Sequence, residues 1–175
     1  MTDEKGLIIV FTGDGKGKTT AALGIALRAM GRGNRTVFLQ FMKGREKSGE
    51  QLLDKTGISL VEVRAIGAGF FKKGDDPAPH RKAAEEGWSI AEKELASGTA
   101  DILVLDEISH AVNSGLLSAE TVTRAIRNKR DGLHLILTGR NMPGDLIDIA
   151  DMVTEMKEIR HPYHGGRSAV KGIDY

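Results

Sequence analysis

Thr12-Gly13-Asp14-Gly15-Lys16-Gly17-Lys18-Thr19-Thr20 is the stretch that decides how this chain folds. Before it stands an apolar run, Leu7-Ile8-Ile9-Val10-Phe11, which reads as a strand buried on both faces because nothing in it is polar. After it, from Thr19 to Met30, Ala22, Ile25, Ala26 and Ala29 recur at helical spacing, and Gly31 and Gly33 stop the helix. A strand, a Gly-rich turn and a helix in that order are the context of a phosphate-binding loop. Gly13, Gly15 and Gly17 let successive backbone N–H groups point inward and approach phosphate oxygens closely. Asp14, Lys16 and Thr20 belong to the same loop, Lys18 brings a positive charge to the outer phosphates, and Thr19 offers a hydroxyl to Mg²⁺. The helix N-terminus adds its partial positive charge. In the general pattern a glycine stands five positions before Gly17; here that position is Thr12, with Gly13 one later, so a slightly different loop shape is expected. The expected ligand is a nucleoside triphosphate, ATP with Mg²⁺.

Outward from the loop, short apolar runs alternate with amphipathic stretches. Further strands are expected at Thr36–Phe41, Ile58–Val63, Ile102–Leu105, Leu133–Leu137 and Met152–Ile159, and helices at Glu50–Lys55, Pro79–Ala96, Ser118–Asn128 and Pro143–Ile149. Pro79 and Pro143 suit a first helical turn, and Ser118 suits an N-cap. The alternation predicts right-handed crossovers and an α/β doubly wound, mostly parallel sheet covered on both faces, of the P-loop NTPase (RecA-like) kind, with ligands at the carboxyl ends of the strands. Trp88 is expected in the core.

Composition narrows the function. With 175 residues, 40% apolar, one domain spanning 1–175 is expected. A net charge of +1, from 25 basic and 24 acidic residues, leaves no basic excess to follow a nucleic-acid backbone. The absence of cysteine excludes disulfides, thiolate metal sites and cysteine nucleophiles. The run Leu7–Phe11 is too short for a signal sequence or a membrane span, which makes the cytoplasm the expected location.

Asp106 and Glu107 close the apolar run Ile102–Leu105, where a carboxylate at a strand end beside a phosphate loop can hold Mg²⁺; the sequence leaves open which of the two acts. Thr138-Gly139-Arg140-Asn141 follows a buried strand at the same sheet edge, where Arg140 can meet phosphate or carboxylate. Gly67-Ala68-Gly69-Phe70-Phe71 sets two adjacent rings in a Gly-rich loop of a chain only 5% aromatic, either as a loop anchor or as a binding wall. His161 and His164, with Pro162 between them, read as loop packing more readily than as a metal pair.

The loop Gly13–Thr20 with Ala21-Ala22-Leu23-Gly24 resembles that of the P-loop type of corrinoid adenosyltransferase. So do Gln40-Phe41-Met42-Lys43-Gly44, Gly67–Phe70, Val104–Glu107, Leu137–Asn141, Ile149–Met156, and the tail from His161-Pro162-Tyr163 to Lys171-Gly172-Ile173-Asp174-Tyr175. The matches run in order over nearly the whole chain, and the tail and the Thr-Gly-Arg-Asn segment are more specific than the loop. The resemblance implies transfer of the 5′-deoxyadenosyl group of ATP to the Co(I) of a reduced corrinoid, with release of triphosphate. Lys18, Thr19 and Glu107 are the expected catalytic residues. The resemblance implies Phe70 on the corrinoid side and a homodimer, and a reductase supplying Co(I) is an expected partner. Lys72 departs from the family, whose members often carry Trp two positions after the loop Phe, where the pair helps remove the lower cobalt ligand. Some members also carry an N-terminal segment over the active site. Six residues precede the first strand here, so a more open site, or one covered by another subunit, is expected. Two other classes stay open on the residues alone: a RecA-like ATPase or kinase, and a nucleotide-dependent binding module without turnover.

Overall fold

In the computed structural model, which describes residues 5–44, 48–57, 59–69, 71–72 and 74–174, strand β1 (Ile8–Thr12) is buried along its whole length. It leads through the glycine-rich turn into helix α1 (Lys18–Met30). Then follow β2 (Thr36–Gln40), a 3-10 segment (Gly49–Thr56), β3 (Val61–Ala65), α2 (Pro77–Ser97), β4 (Ile102–Asp106), the short α3 (Ile108–Asn113), α4 (Ala119–Arg127), β5 (His134–Thr138), α5 (Gly144–Ile147), β6 (Met152–Glu155) and a 3-10 turn (Pro162–Gly165). The strands form a six-stranded sheet in the order β3-β2-β4-β5-β1-β6, and every pairing is parallel. The α/β expectation is met. β5 lies between β1 and β4, so the strand that carries the loop and the strand that ends in Asp106 are not neighbours.

Residues of alternate parity along each strand point to opposite faces. Ile8, Val10, Leu103, Leu105, Leu135 and Leu137 pack with Trp88, Ala91 and Leu95 of α2, Ile108 of α3, Val122 and Ile126 of α4, and Leu146 of α5. Ile9, Phe11, Phe38, Val104 and Ile136 pack on the other side against α1, whose buried face is Ala22, Ala26 and Ala29. Small side chains there bring the helix close to the sheet and carry little helix-forming cost. Both faces are covered, but unequally: among the described residues, α2 to α5 share one face and α1 has the other.

Element ends differ from the sequence reading for identifiable reasons. α2 begins at Pro77 rather than Pro79 because Asp76 caps it, accepting from the Ala78 N–H at 3.0 Å. Ser118 caps α4 as expected, accepting from Thr121 N–H at 3.3 Å. The stretch 49–56 is a 3-10 segment, α5 is a single turn preceded by Pro143, and β5 starts one residue late and ends at Thr138. β3 begins at Val61, and Ile58 lies outside the described residues. β6 stops at Glu155, because beyond it the chain turns onto the glycine-rich loop. α3 had no sequence signal of its own.

Leu103, fully buried within β4, tests this packing. Leu103→Ala should lower the unfolding free energy in urea by about 2–5 kcal/mol. Leu27→Ala, on the 61% exposed side of α1, should change it by no more than about 0.5 kcal/mol.

Candidate active site

The carboxyl ends of β1, β4 and β5 bring three separate segments together. Asp106, 1% exposed at the end of β4, is the point where they meet. Its Oδ1 accepts from Thr19 Oγ1 at 2.8 Å and from Thr138 Oγ1 at 2.7 Å, and its Oδ2 from Gln40 Nε2 at 3.4 Å. Thr138 in turn accepts from the Glu107 N–H at 3.0 Å. Thr138 therefore fills, with one hydroxyl, the width of the strand that separates β4 from β1. Burial pushes the Asp106 carboxyl up from its ordinary range, against the hydrogen bonds from Thr138, Thr19 and Gln40. Glu107 is raised as well, first by burial and then by the neighbouring Asp106 charge, with Lys18 and Arg140 opposing. Glu107 sits in the left-handed region (φ 59°) at the N-terminus of α3, an uncommon conformation for a residue with a side chain.

The glycine-rich loop is shaped partly by what lies behind it. Lys18, 7% exposed, donates through Nζ to the carbonyls of Gly13 at 2.7 Å and Gly15 at 2.8 Å. Its pKa is lowered by burial, against the attraction of Glu107. Gly15 N–H donates to Met156 O at 2.7 Å, and Met156 N–H to Thr12 O at 2.8 Å. A Cβ on Gly13 would come within 2.5 Å of Met156 O, and one on Gly15 within 2.7 Å of it. Glycine is therefore required at both positions by the backbone following β6. The sequence reading turned all three glycine amides inward; the amide of Gly15 instead faces Met156. At Gly17 the requirement is conformational, with φ 115°.

The segment after β5 is fixed to α3. Ser109 Oγ donates to Arg140 O at 2.7 Å, and Asn113 Nδ2 to Asn141 O at 2.8 Å. Gly139 has φ 140°, and a Cβ there would overlap Ser109 Oγ and lie 3.4 Å from Glu107 Oε2. These contacts hold Arg140 beside the acidic pair.

A cavity of about 1110 Å³ opens from these residues. Asp14 to Thr20, Lys43, Glu50, Glu107 and Arg140 line its polar side, and Leu23, Ala26, Leu27, Met30, Leu53 and Val61 its apolar side. Ligand pockets of ordinary size measure roughly 300–1,000 Å³, so there is space for more than a small ligand. Among the described residues, no three of His, Cys, Asp and Glu gather as a metal cage. Phe70 lies outside the described residues. Its neighbour Phe71 packs its ring 5.2 Å from that of His80, and its carbonyl stands 3.2 Å from His110 Nε2. His164 pairs with Glu158 at 2.7 Å, whereas His161 lines the cavity.

Several residues at this site had no assigned role in the sequence reading. Gln40 is fully buried and its amide is engaged at both ends: Nε2 donates to Glu50 Oε1 at 2.8 Å as well as to Asp106, and Oε1 accepts from Gln51 Nε2 at 2.7 Å. A long polar side chain within the mostly apolar run Val37–Phe41 was the available signal. Asp174, near the end of the chain, pairs with Lys16 of the loop at 2.6 Å, and no sequence pattern pointed to that contact.

The family described as ATP:corrinoid adenosyltransferase BtuR/CobO/CobP matches residues 4–175. The corrinoid adenosyltransferase of Escherichia coli (strain K12) is 38% identical over 174 residues, 99% of this chain and 87% of that protein. Corrinoid adenosyltransferase CobA of Salmonella typhimurium (strain LT2) is 38% identical over the same shares. The corrinoid adenosyltransferase of a Sinorhizobium species is 37% identical over 176 residues, 99% of this chain and 82% of that protein. No helix among the described residues is long and apolar enough to cross a membrane. With a full-length family match and relatives above one third identity, this chain belongs to the ATP:corrinoid adenosyltransferase family, a family of transferases.

Proposed function

We propose that this protein transfers the 5′-deoxyadenosyl group of ATP to the Co(I) of a reduced corrinoid and releases triphosphate. The observation that carries the reading is the junction of the glycine-rich loop, Lys18 and the Thr19–Asp106 bond at the mouth of a cavity with one polar and one apolar side. The cobalt electron pair forms the new Co–C bond as the C5′–O5′ bond breaks, and the bonding pair leaves on the triphosphate. Because Co(I) is itself the nucleophile, no side chain needs to attack. The work left to the protein is to hold C5′ in line and to stabilise the charge of the leaving group.

Each residue then has a role. The loop Gly13 to Gly17, with Asp14, Lys16 and Thr20 around it, cradles the phosphates, and Lys18 and Arg140 bring positive charge to them. Lys18 does so by exchanging the carbonyls of Gly13 and Gly15 for phosphate oxygens. Thr19, Asp106 and Glu107 would hold Mg²⁺. A hydroxyl and carboxylates are the hard oxygen donors it takes, usually one or two carboxylates with phosphates and water completing the shell. The burial that opposes a lone charge on Asp106 and Glu107 favours a cation there. Bound Mg²⁺ supplies neutralisation of charge on the departing triphosphate. Phe70 belongs to the corrinoid side. A homodimer, a reductase supplying Co(I) and a cytoplasmic location complete the proposal.

Under anaerobic conditions with Mg-ATP and chemically reduced cobalamin, the protein should yield a light-sensitive alkylcobalamin and triphosphate, read by absorbance and by nucleotide chromatography. ADP and phosphate with the corrinoid untouched would reassign it to the ATPase class. Lys18→Ala should lose ATP binding, with transfer falling by about 10²–10³; retained transfer would remove Lys18 from the phosphate site. Phe70→Ala should raise KM for the corrinoid and leave ATP affinity near normal, and the reverse pattern would overturn its placement.

A further inference from the structure

The last stretch of the chain touches the glycine-rich loop at one point. Residues 168–173 are exposed, Ile173 by 70%. Their order comes from a turn: Ile173 N–H and Asp174 N–H donate to Val170 O at 3.1 and 2.8 Å, and Val170 N–H donates to Asp174 Oδ2 at 2.6 Å. That last bond leaves Asp174 Oδ1 to reach Lys16 Nζ, 2.6 Å away. Among the described residues, this ion pair is the one hydrogen bond or ion pair of residues 168–174 that leaves the segment. Gly172, Ile173 and Asp174 nevertheless form part of the cavity wall, facing the loop residues Asp14 to Thr20 and the exposed end of α1.

We propose that this turn is a nucleotide-responsive latch: the Asp174 carboxylate holds Lys16 and yields it to the triphosphate of an arriving nucleotide. This rests on the ATP-binding part of the function proposed above. A carboxylate and a phosphate oxygen are interchangeable partners for an ammonium group, but the triphosphate carries several charges where Asp174 carries one. Asp174 and the triphosphate repel each other, so their simultaneous hold on Lys16 is unfavourable. The latch opens readily because an ion pair that is partly exposed, 44% at Lys16 and 24% at Asp174, is weak and screened by salt. A segment with little buried surface and a single tie is also among the first parts of a fold to open. Binding of nucleotide thereby loosens the wall of the cavity on the side where Ile173 stands.

The test uses the full chain without corrinoid, which separates it from the transfer reaction. Asp174→Asn should bind ATP about two- to fivefold more tightly than the unaltered protein by calorimetry, the gain expected from removing an exposed competing ion pair, and the difference should shrink as salt rises. Saturating Mg-ATP should raise amide exchange in residues 170–174 of the unaltered protein. Weaker ATP binding by Asp174→Asn, or protection of the tail by ATP, would overturn the latch and make the tail a fixed wall of the nucleotide site. Undetectable ATP binding by the unaltered protein would overturn the latch together with the ATP-binding reading beneath it. ATP binding and tail exchange as expected here, with no transfer in the anaerobic cobalamin assay, would support the latch and refute the transferase reading alone.

Discussion

The site depends on a carboxylate buried beyond the reach of water. Asp106 has no solvent to stabilise its charge, so its position is tolerable only while Thr19, Thr138 and Gln40 donate to it. Those donors come from α1, β5 and β2, three elements that converge on this one carboxylate. Each is drawn to a common centre, and the order β2-β4-β5-β1 is the one that puts a threonine-bearing strand between the loop and the acid. The pair Thr19–Asp106 thus reaches across an intervening strand, with Thr138 as the spacer.

From that centre the remaining geometry follows in two directions. Toward β5, the Glu107 amide rests on Thr138, the left-handed turn at Glu107 starts α3, and α3 supplies Ser109 and Asn113 to clamp the carbonyls of Arg140 and Asn141. Gly139 is required there because Ser109 occupies the space of a side chain. Toward β3, Gln40 divides its amide between Asp106 and Glu50, which ties the 3-10 segment of the cavity wall to the acid. Ser48 shares the same oxygen of Glu50 at 2.6 Å and, with Gln40 and Lys43, keeps that carboxyl below its ordinary range against the cost of burial.

How much of this was legible follows from which signals are local. The loop, β1 and α1 were readable because an all-apolar run, a glycine turn and an alanine-rich helical period lie next to one another. Asp106 was readable as an acid closing an apolar run. Which carboxylate is held by the threonines was not, since that depends on Thr138, 32 positions away. α3 was missed because its six residues are too few to show a helical period. The strand expected to run to Ile159 stops at Glu155 for a reason absent from its own residues: Met156 hydrogen-bonds to Gly15 and Thr12. The Lys16–Asp174 pair joins two residues with no shared pattern at all. Long-range partners of exposed side chains leave no periodic trace.

The bond between Gly15 and Met156 has a consequence for the order in which the protein acquires its shape. The glycine-rich loop lies in the first 20 residues, yet the wall that gives it its curvature arrives about 140 residues later. A growing chain that has emerged only as far as β5 holds the loop and the acid strand but lacks the carbonyl against which Gly13 and Gly15 are set. So late a closure, between segments so far apart, belongs to the slow class of folding contacts. The site thus draws on residues from Gly13 to Met156, and a truncation just before β6 removes a supporting wall while leaving every residue of the glycine-rich loop in place.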